Sequence, residues 1–265
     1  MSTSGRLPVS VLTVTRRTTT LPRCLSSVAR QDYSGPFEHL IVIDDQPEVQ
    51  ELLRRTEQRP GTEVVYASRG PSDVDGPDRL ARLRNLAVAR AHNPFVIFLD
   101  DDNAWEPDHL SSLSTAMARP GVDIAHTERM MFVDDGTPYT VPEFPWSRDP
   151  QQRREIYQAY AELGIVTPGS NVFRDRLQMP YSCVDLGEWL LPREFLEAHP
   201  FEQVYSPEDW QTIVVEDGKL AREIKDSGLA VESTHRPTLH YYLGGYSNNF
   251  SEGAPIYWQR PDETV

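Results

Sequence analysis

The sequence predicts an α/β fold, a mixed and mostly parallel sheet flanked by helices. Strand-like and helix-like segments alternate through the first half of the chain. The strand-like ones are continuous apolar runs rather than alternating ones, the mark of strands covered on both faces. Several of these runs also end in polar or acidic residues, and in open sheets of this kind the ligand lies outside the carboxyl ends of the strands.

Residues 8–14 form a β-branched run and the first strand. Thr18, Thr19 and Thr20 offer an N-cap to a helix over 21–31, with Leu21, Leu25 and Val28 on one face. Residues 39–43 are a buried-type strand ending at Asp44-Asp45, 47–58 a second helix and 62–67 a third strand. A Gly/Pro/Asp/Ser loop spans 69–78. Leu80, Leu83, Ala87 and Ala91 then repeat at helical spacing, and 94–99 is an apolar run of strand length. Beyond the helix over 108–118, residues 122–133 hold further strand signal and 137–150 read as irregular. Residues 151–163, 192–198 and 210–227 read as helices, 168–180 as a loop, and the tail from His235 as a segment that folds back as a lid.

Composition narrows the function. Of 265 residues, 38% are hydrophobic and 25% charged, which supports a core and argues against disorder throughout. The net charge of −14 disfavours nucleic acid, whose binders need Lys and Arg, and anionic lipid. It leaves an anionic substrate open, because a bound divalent ion inverts the local field. Two cysteines, Cys24 and Cys183, imply neither a disulfide framework nor a thiolate metal site. The first eight residues lack the apolar core of a signal peptide, and no apolar run approaches the roughly 20 residues of a membrane span. A soluble cytoplasmic protein without membrane insertion is therefore expected.

Three predicted strands deliver polar groups to one rim: Thr13 and Thr15, then Asp44 and Asp45, then Asp100, Asp101 and Asp102. A buried strand running into three carboxylates calls for compensating charge, and hard oxygen ligands suit Mn2+ or Mg2+, with diphosphate oxygens completing the shell. A solvated acidic cap before a helix is the competing reading. A carboxylate at the position of Asp44 suits a base or ribose, or again a cap.

Here the residues resemble a known family. Val9-Ser-Val-Leu-Thr-Val-Thr15, Leu40-Ile-Val-Ile-Asp-Asp45, Arg84-Asn85 followed by Phe95-Val-Ile-Phe-Leu-Asp-Asp-Asp102, and Trp105-x-Pro107 are similar in order and spacing to a family 2 glycosyltransferase of the GT-A fold. The likeness covers residues 9–118 well and thins afterwards. It departs at Val14-Thr15-Arg16-Arg17, where the family has a Pro-Thr-Tyr-Asn-like turn, and at Gln46-Pro47 after the acidic pair.

The resemblance implies roles. Residues 1–118 would bind a UDP- or dTDP-sugar, with Thr13, Thr15, Arg16, Asp44, Arg84, Asp100 and Asp101 around the nucleotide. Asp102, Asp100 and, less in step with the family's tail histidine, His240 would hold the metal. Residues 119–265 would bind a soluble acceptor (a small molecule, peptide or saccharide) and supply the base, from Asp209, Glu208 or Asp185. Glu208 and Asp209 equally suit helix capping, and Trp189 and Trp210 suit either a sugar ring or the core. Inverting transfer is the expected reaction. The rivals are a non-catalytic nucleotide-sugar scaffold, a retaining GT-A transferase and a sugar nucleotidyltransferase. The last wants a Gly-rich phosphate loop, and residues 14–20 contain no glycine.

Overall fold

The computed structural model describes residues 6–70, 73, 76–147, 149–177, 184–206, 216–245 and 248. The first half follows the expected alternation: β1 (Val9–Thr15), α1 (Leu21–Ala29), β2 (Phe37–Asp44), α2 (Pro47–Arg55), β3 (Thr62–Ala67), α3 (Pro77–Arg90) and β4 (Phe95–Phe98). Proline lies in the first turn of α1, α2 and α3, where its missing N–H costs no helical hydrogen bond. After a two-residue β5 (Ala104–Trp105) come α4 (His109–Met117), β6 (Ile124–Phe132), α5 (Pro150–Glu162) and β7 (Val172–Phe173). A 3-10 turn (Leu186–Glu188), β8 (Trp189–Pro192), α6 (Arg193–Ala198), α7 (Glu216–Asp226) and β9 (Val231–Tyr242) complete the described elements.

The strands form one sheet in the order β3-β2-β1-β4-β8-β6-β9-β5, with β7 beside β6. β3, β2, β1 and β4 are mutually parallel, and β8 runs antiparallel to both β4 and β6. The apolar faces of β1, β2 and β4 are buried on both sides. Leu83 and Ala87 of α3, Leu196 of α6 and Leu220 and Ile224 of α7 pack with Trp189 on one face. Cys24 and Val28 of α1 and Leu110 and Leu113 of α4 pack on the other. A third, aromatic-rich cluster joins Tyr157 and Tyr160 of α5 to Phe173, Met131 and Tyr241. Among the described residues no helix is long and apolar enough to cross a membrane.

Two expectations are corrected. Residues 189–191, unassigned from the sequence, and Pro192, read as helical, are strand β8 in mid-sheet. The tail from His235 is not a lid over its first part: residues 231–242 are the longest strand, parallel to β6 and antiparallel to β5. Its Pro237, which speaks against a central strand, sits where the β6–β9 register breaks on either side of Glu128, and His235 just before it takes φ 54°. The bulge absorbs both irregularities.

Candidate active site

The winding reverses between β1 and β4. Chain order runs outward from β1 to β2 and β3, then returns to β4 on the other side of β1, opening a crevice at their carboxyl ends. Parallel register places Leu12 beside Phe98, so Thr15 lies level with Asp101. Its Oγ1 donates to Asp101 Oδ2 at 2.7 Å. Thr13 is two residues deeper and does not reach the rim as expected. It is fully buried, with Oγ1 3.0 Å from His39 Nε2.

Asp44 ends β2 in a cationic cradle. Arg79 donates to its Oδ1 from Nε at 3.0 Å and Nη2 at 2.7 Å. Arg69 donates to Oδ1 from Nε at 3.1 Å, and its Nη2 binds Oδ2. Burial alone would raise the Asp44 pKa, but the two guanidiniums outweigh it and hold the carboxyl below its usual range. Neither arginine was singled out from sequence; the available signal was that a strand-end carboxylate in the interior needs nearby cations. Asp45 turns the chain in the left-handed region, φ 49°, which Asp tolerates better than most residues.

The aspartate triplet divides into three environments. Asp101 is buried, accepting from Thr15 and from Arg17 Nε at 2.9 Å. It anchors the turn and does not face the crevice as a nucleotide contact. Arg17 also reaches Asp102 Oδ2 at 2.9 Å, so it, rather than half-buried Arg16, spans the pair. Asp100 is the most open, with its side chain 38% exposed, and meets Arg84 Nη2 at 3.3 Å. Burial, opposed by Arg17 and reinforced by Asp101 and Asp100, pushes the Asp102 carboxyl up to about 6. Gly245 lies against it: a Cβ there would fall 2.8 Å from Asp102 Oδ2. The glycine keeps the space beside that carboxylate open.

Among the described residues no three His, Cys, Asp or Glu side chains converge as a metal-holding group. Asp100, Asp102 and His240 therefore do not form the expected ligand set. His240 is turned to Glu106, its Nε2 2.7 Å from Oε1, with its ring against Phe132. What remains fits a cation held by one carboxylate, Asp102, and completed by ligand oxygens, a common mode for Mg2+.

Arg84 ties this rim to the second half of the chain. Buried beneath Asp100, it donates from Nη1 to Glu216 Oε1 at 2.7 Å. Glu216 is the first residue of α7 and Asp217, exposed, the second. This acidic pair opening a helix with Leu220, Ala221 and Ile224 on its buried face escaped the sequence reading, which placed the acids at Glu208 and Asp209. Those two, with Trp210, lie outside the described residues.

On the far side of β8 a second acidic cluster surrounds one arginine. Arg129 of β6 lies 3.4 Å from Asp185 Oδ2 and 3.3 Å from Asp175 Oδ1, walled by Trp146 and Tyr241. Asp185 caps the 3-10 turn, accepting from Gly187 N at 2.8 Å, while its own N–H donates to Glu188 Oε2 at 2.6 Å. Burial, against the pull of Arg129 and with Asp100 adding, pushes Asp185 up to about 7. Glu188, fully buried beside Asp175, is pushed well above the usual range. Trp189 is core, tilted against His126.

Comparison with known proteins agrees with this architecture. The family model described as glycosyl transferase family 2 matches residues 10–178. The succinoglycan biosynthesis protein ExoW of Rhizobium meliloti (strain 1021) is 34% identical over 106 residues, 39% of this chain and 31% of that protein. TarS 1-349 of S. aureus in complex with UDP-GlcNAc superposes with TM-score 0.58 at 16% identity, over 93% of this chain and 62% of that one. The mannosyltransferase PcManGT of Pyrobaculum calidifontis, in complex with GDP-Man and Mn2+, gives 0.59 at 16% identity, over 92% and 59%. The chain thus spans about a third of the curated relative and about three fifths of these structures.

Proposed function

The chain belongs to glycosyl transferase family 2 and has the GT-A fold, and from that premise we propose that it transfers a glycosyl group from a UDP- or dTDP-sugar to a soluble acceptor, with inversion. The observation that carries this reading is that Asp44, Asp100 and Asp102 stand at the carboxyl ends of the strands where the winding of the sheet reverses, with Thr15 and Asp101 anchoring the turn between them. Residues 1–118 supply that donor half, and residues 119–265 the acceptor half. Asp44, its charge fixed by Arg69 and Arg79, accepts from the ribose or base. Arg16, in the turn after β1, is assigned to the diphosphate on its charge and its place in the chain. Arg84, paired with Asp100 and Glu216, orients the rim beside the nucleotide.

A divalent ion, Mn2+ or Mg2+, bound at Asp102 would offset the charge that grows on the departing nucleoside diphosphate. The acceptor hydroxyl gives its proton to a carboxylate as its oxygen attacks the anomeric carbon; the bond from that carbon to the diphosphate oxygen breaks, and the nucleoside diphosphate leaves. Asp217 is the base we favour. It is exposed, it is next to Glu216, and through Arg84 that residue is fixed to Asp100. Asp185 is the second candidate, with a carboxyl poised near neutrality but engaged in capping its turn.

The test is a thermal-shift screen of UDP-, dTDP- and GDP-sugars with and without Mn2+. A donor raises the melting temperature by mass action, by an increment that depends on metal. No shift with any nucleotide-sugar would overturn the reading.

A further inference from the structure

A cavity of about 440 Å³ opens between β6, β9, the end of α7 and the segment after β7. Its floor is acidic: Glu128 and Asp175 line it, both almost fully buried, beside the buried ring of His126. Its mouth is basic. Arg174, Arg176 and Lys225 line it and are exposed, with Arg174 also donating to Thr167 Oγ1 at 2.8 Å. Three permanent cations gathered around one opening are unusual in a chain of net charge −14 that contains only two lysines.

The backbone around the cavity is irregular where it matters. β6 and β9 lose register on both sides of Glu128, and there His235 adopts φ 54° with its Nδ1 3.6 Å from Glu128 Oε1. A left-handed histidine within a strand is strained, and such strain concentrates at ligand sites. Bulges likewise gather beside active sites, where they re-aim a side chain. The cavity is also joined to the chemistry, since Arg129 links Asp175 on its floor to Asp185.

We propose that this cavity is an acceptor subsite for an anionic saccharide, whose hydroxyls donate to the carboxylate floor at Glu128 and Asp175 and whose phosphate or carboxylate meets Arg174, Arg176 and Lys225 at the mouth. The assignment rests on the glycosyl-transfer reading above and adds to it the class of acceptor. A neutral sugar satisfies the floor but leaves the mouth unused; a simple anion does the reverse.

Calorimetry of the full chain tests this, with glucose 6-phosphate, glucuronate and glucose as probes, in saturating UDP and Mg2+ so that the crevice is filled. One of the two anionic sugars should bind at least tenfold more tightly than glucose, and which one it is names the anion. Arg174→Gln with Arg176→Gln should lose at least tenfold of that affinity, and Lys225→Gln, on a different element, a smaller part. UDP affinity should be the same in all variants. Equal binding of glucose and both anionic sugars, no binding, or unchanged affinity in the variants would overturn the subsite. If neither UDP nor dTDP binds, the donor reading fails instead, and the variants still decide whether the anionic sugars use this cavity.

Discussion

The carboxylates on the two sides of β8 sit in opposite electrostatic surroundings. On the donor side arginine is plentiful: Arg69 and Arg79 share Asp44, Arg17 spans Asp101 and Asp102, and Arg84 meets Asp100. On the other side Asp175, Asp185 and the adjoining Glu188 lie around Arg129. Burial penalises the charged form in both places, yet the outcome differs. The Asp44 carboxyl is held below its usual range, whereas burial pushes Asp185 up to about 7 and Glu188 well above the usual range. The number of guanidiniums on one carboxylate, not depth alone, separates Asp44, held by two, from Asp185; Asp102, which shares one arginine with Asp101, is pushed up to about 6 and lies nearer to Asp185.

The largest effect should come from the acceptor side of this divide. Asp217→Asn should lower turnover by about 10²- to 10⁴-fold, the usual range for a general base, with UDP affinity unchanged by calorimetry. Full turnover would return the role to Asp185. On the donor side, Asp102→Asn should weaken Mn2+-dependent UDP binding on the order of a hundredfold, at least as much as the loss of an outer-shell metal partner. Affinity equal to wild type, with the same metal dependence, would rule Asp102 out as the cation's ligand.

Two smaller effects probe the charge balance itself. Arg79→Met removes one of two partners of a buried carboxylate and should cost about 3 kcal/mol in urea unfolding at pH 7. A loss under 1 kcal/mol would mean that Arg69 alone holds Asp44. Glu188→Gln should do the reverse. As pH rises above the ordinary glutamate range, the unfolded chain releases the Glu188 proton while the native state keeps it, so wild-type stability falls. The glutamine variant has no such slope and its oxygen still accepts from Asp185 N. Its Tm should match wild type near pH 4.5 and exceed it by about 2 °C at pH 8. A gap that narrows with pH would show Glu188 to be ionised in the fold.

The donor half was legible because its strands are continuous apolar runs, Leu40 to Ile43 and Phe95 to Leu99, that stop at aspartates. What was hidden lay in partners distant in sequence and in rule-breaking strands. Nothing local marks Arg69 and Arg79 as the cradle of Asp44. β8 has four residues between Glu188 and a helix, too few for a periodic signal. β9 carries Pro237 and a left-handed His235, each of which argues against a strand until the bulge opposite Glu128 is seen. The acid pair at the head of α7 went unread because Glu208 and Asp209 offered an equally good N-terminal signal a few residues earlier.

Strand β9 also sets an order of events. β5, which directly follows the aspartate triplet, pairs with β9, and Tyr242 N–H donates to Asn103 Oδ1 at 3.0 Å. Both contacts span more than 130 residues. A ribosome-bound chain that has exposed only the donor half can assemble β1 to β4 in their parallel register, but the segment after Asp102 has no strand to join until residues 231–242 emerge. Closing so long a loop is slow. The nascent chain therefore acquires the β1 to β4 part of its sheet early and the pairing of the segment after Asp102 last.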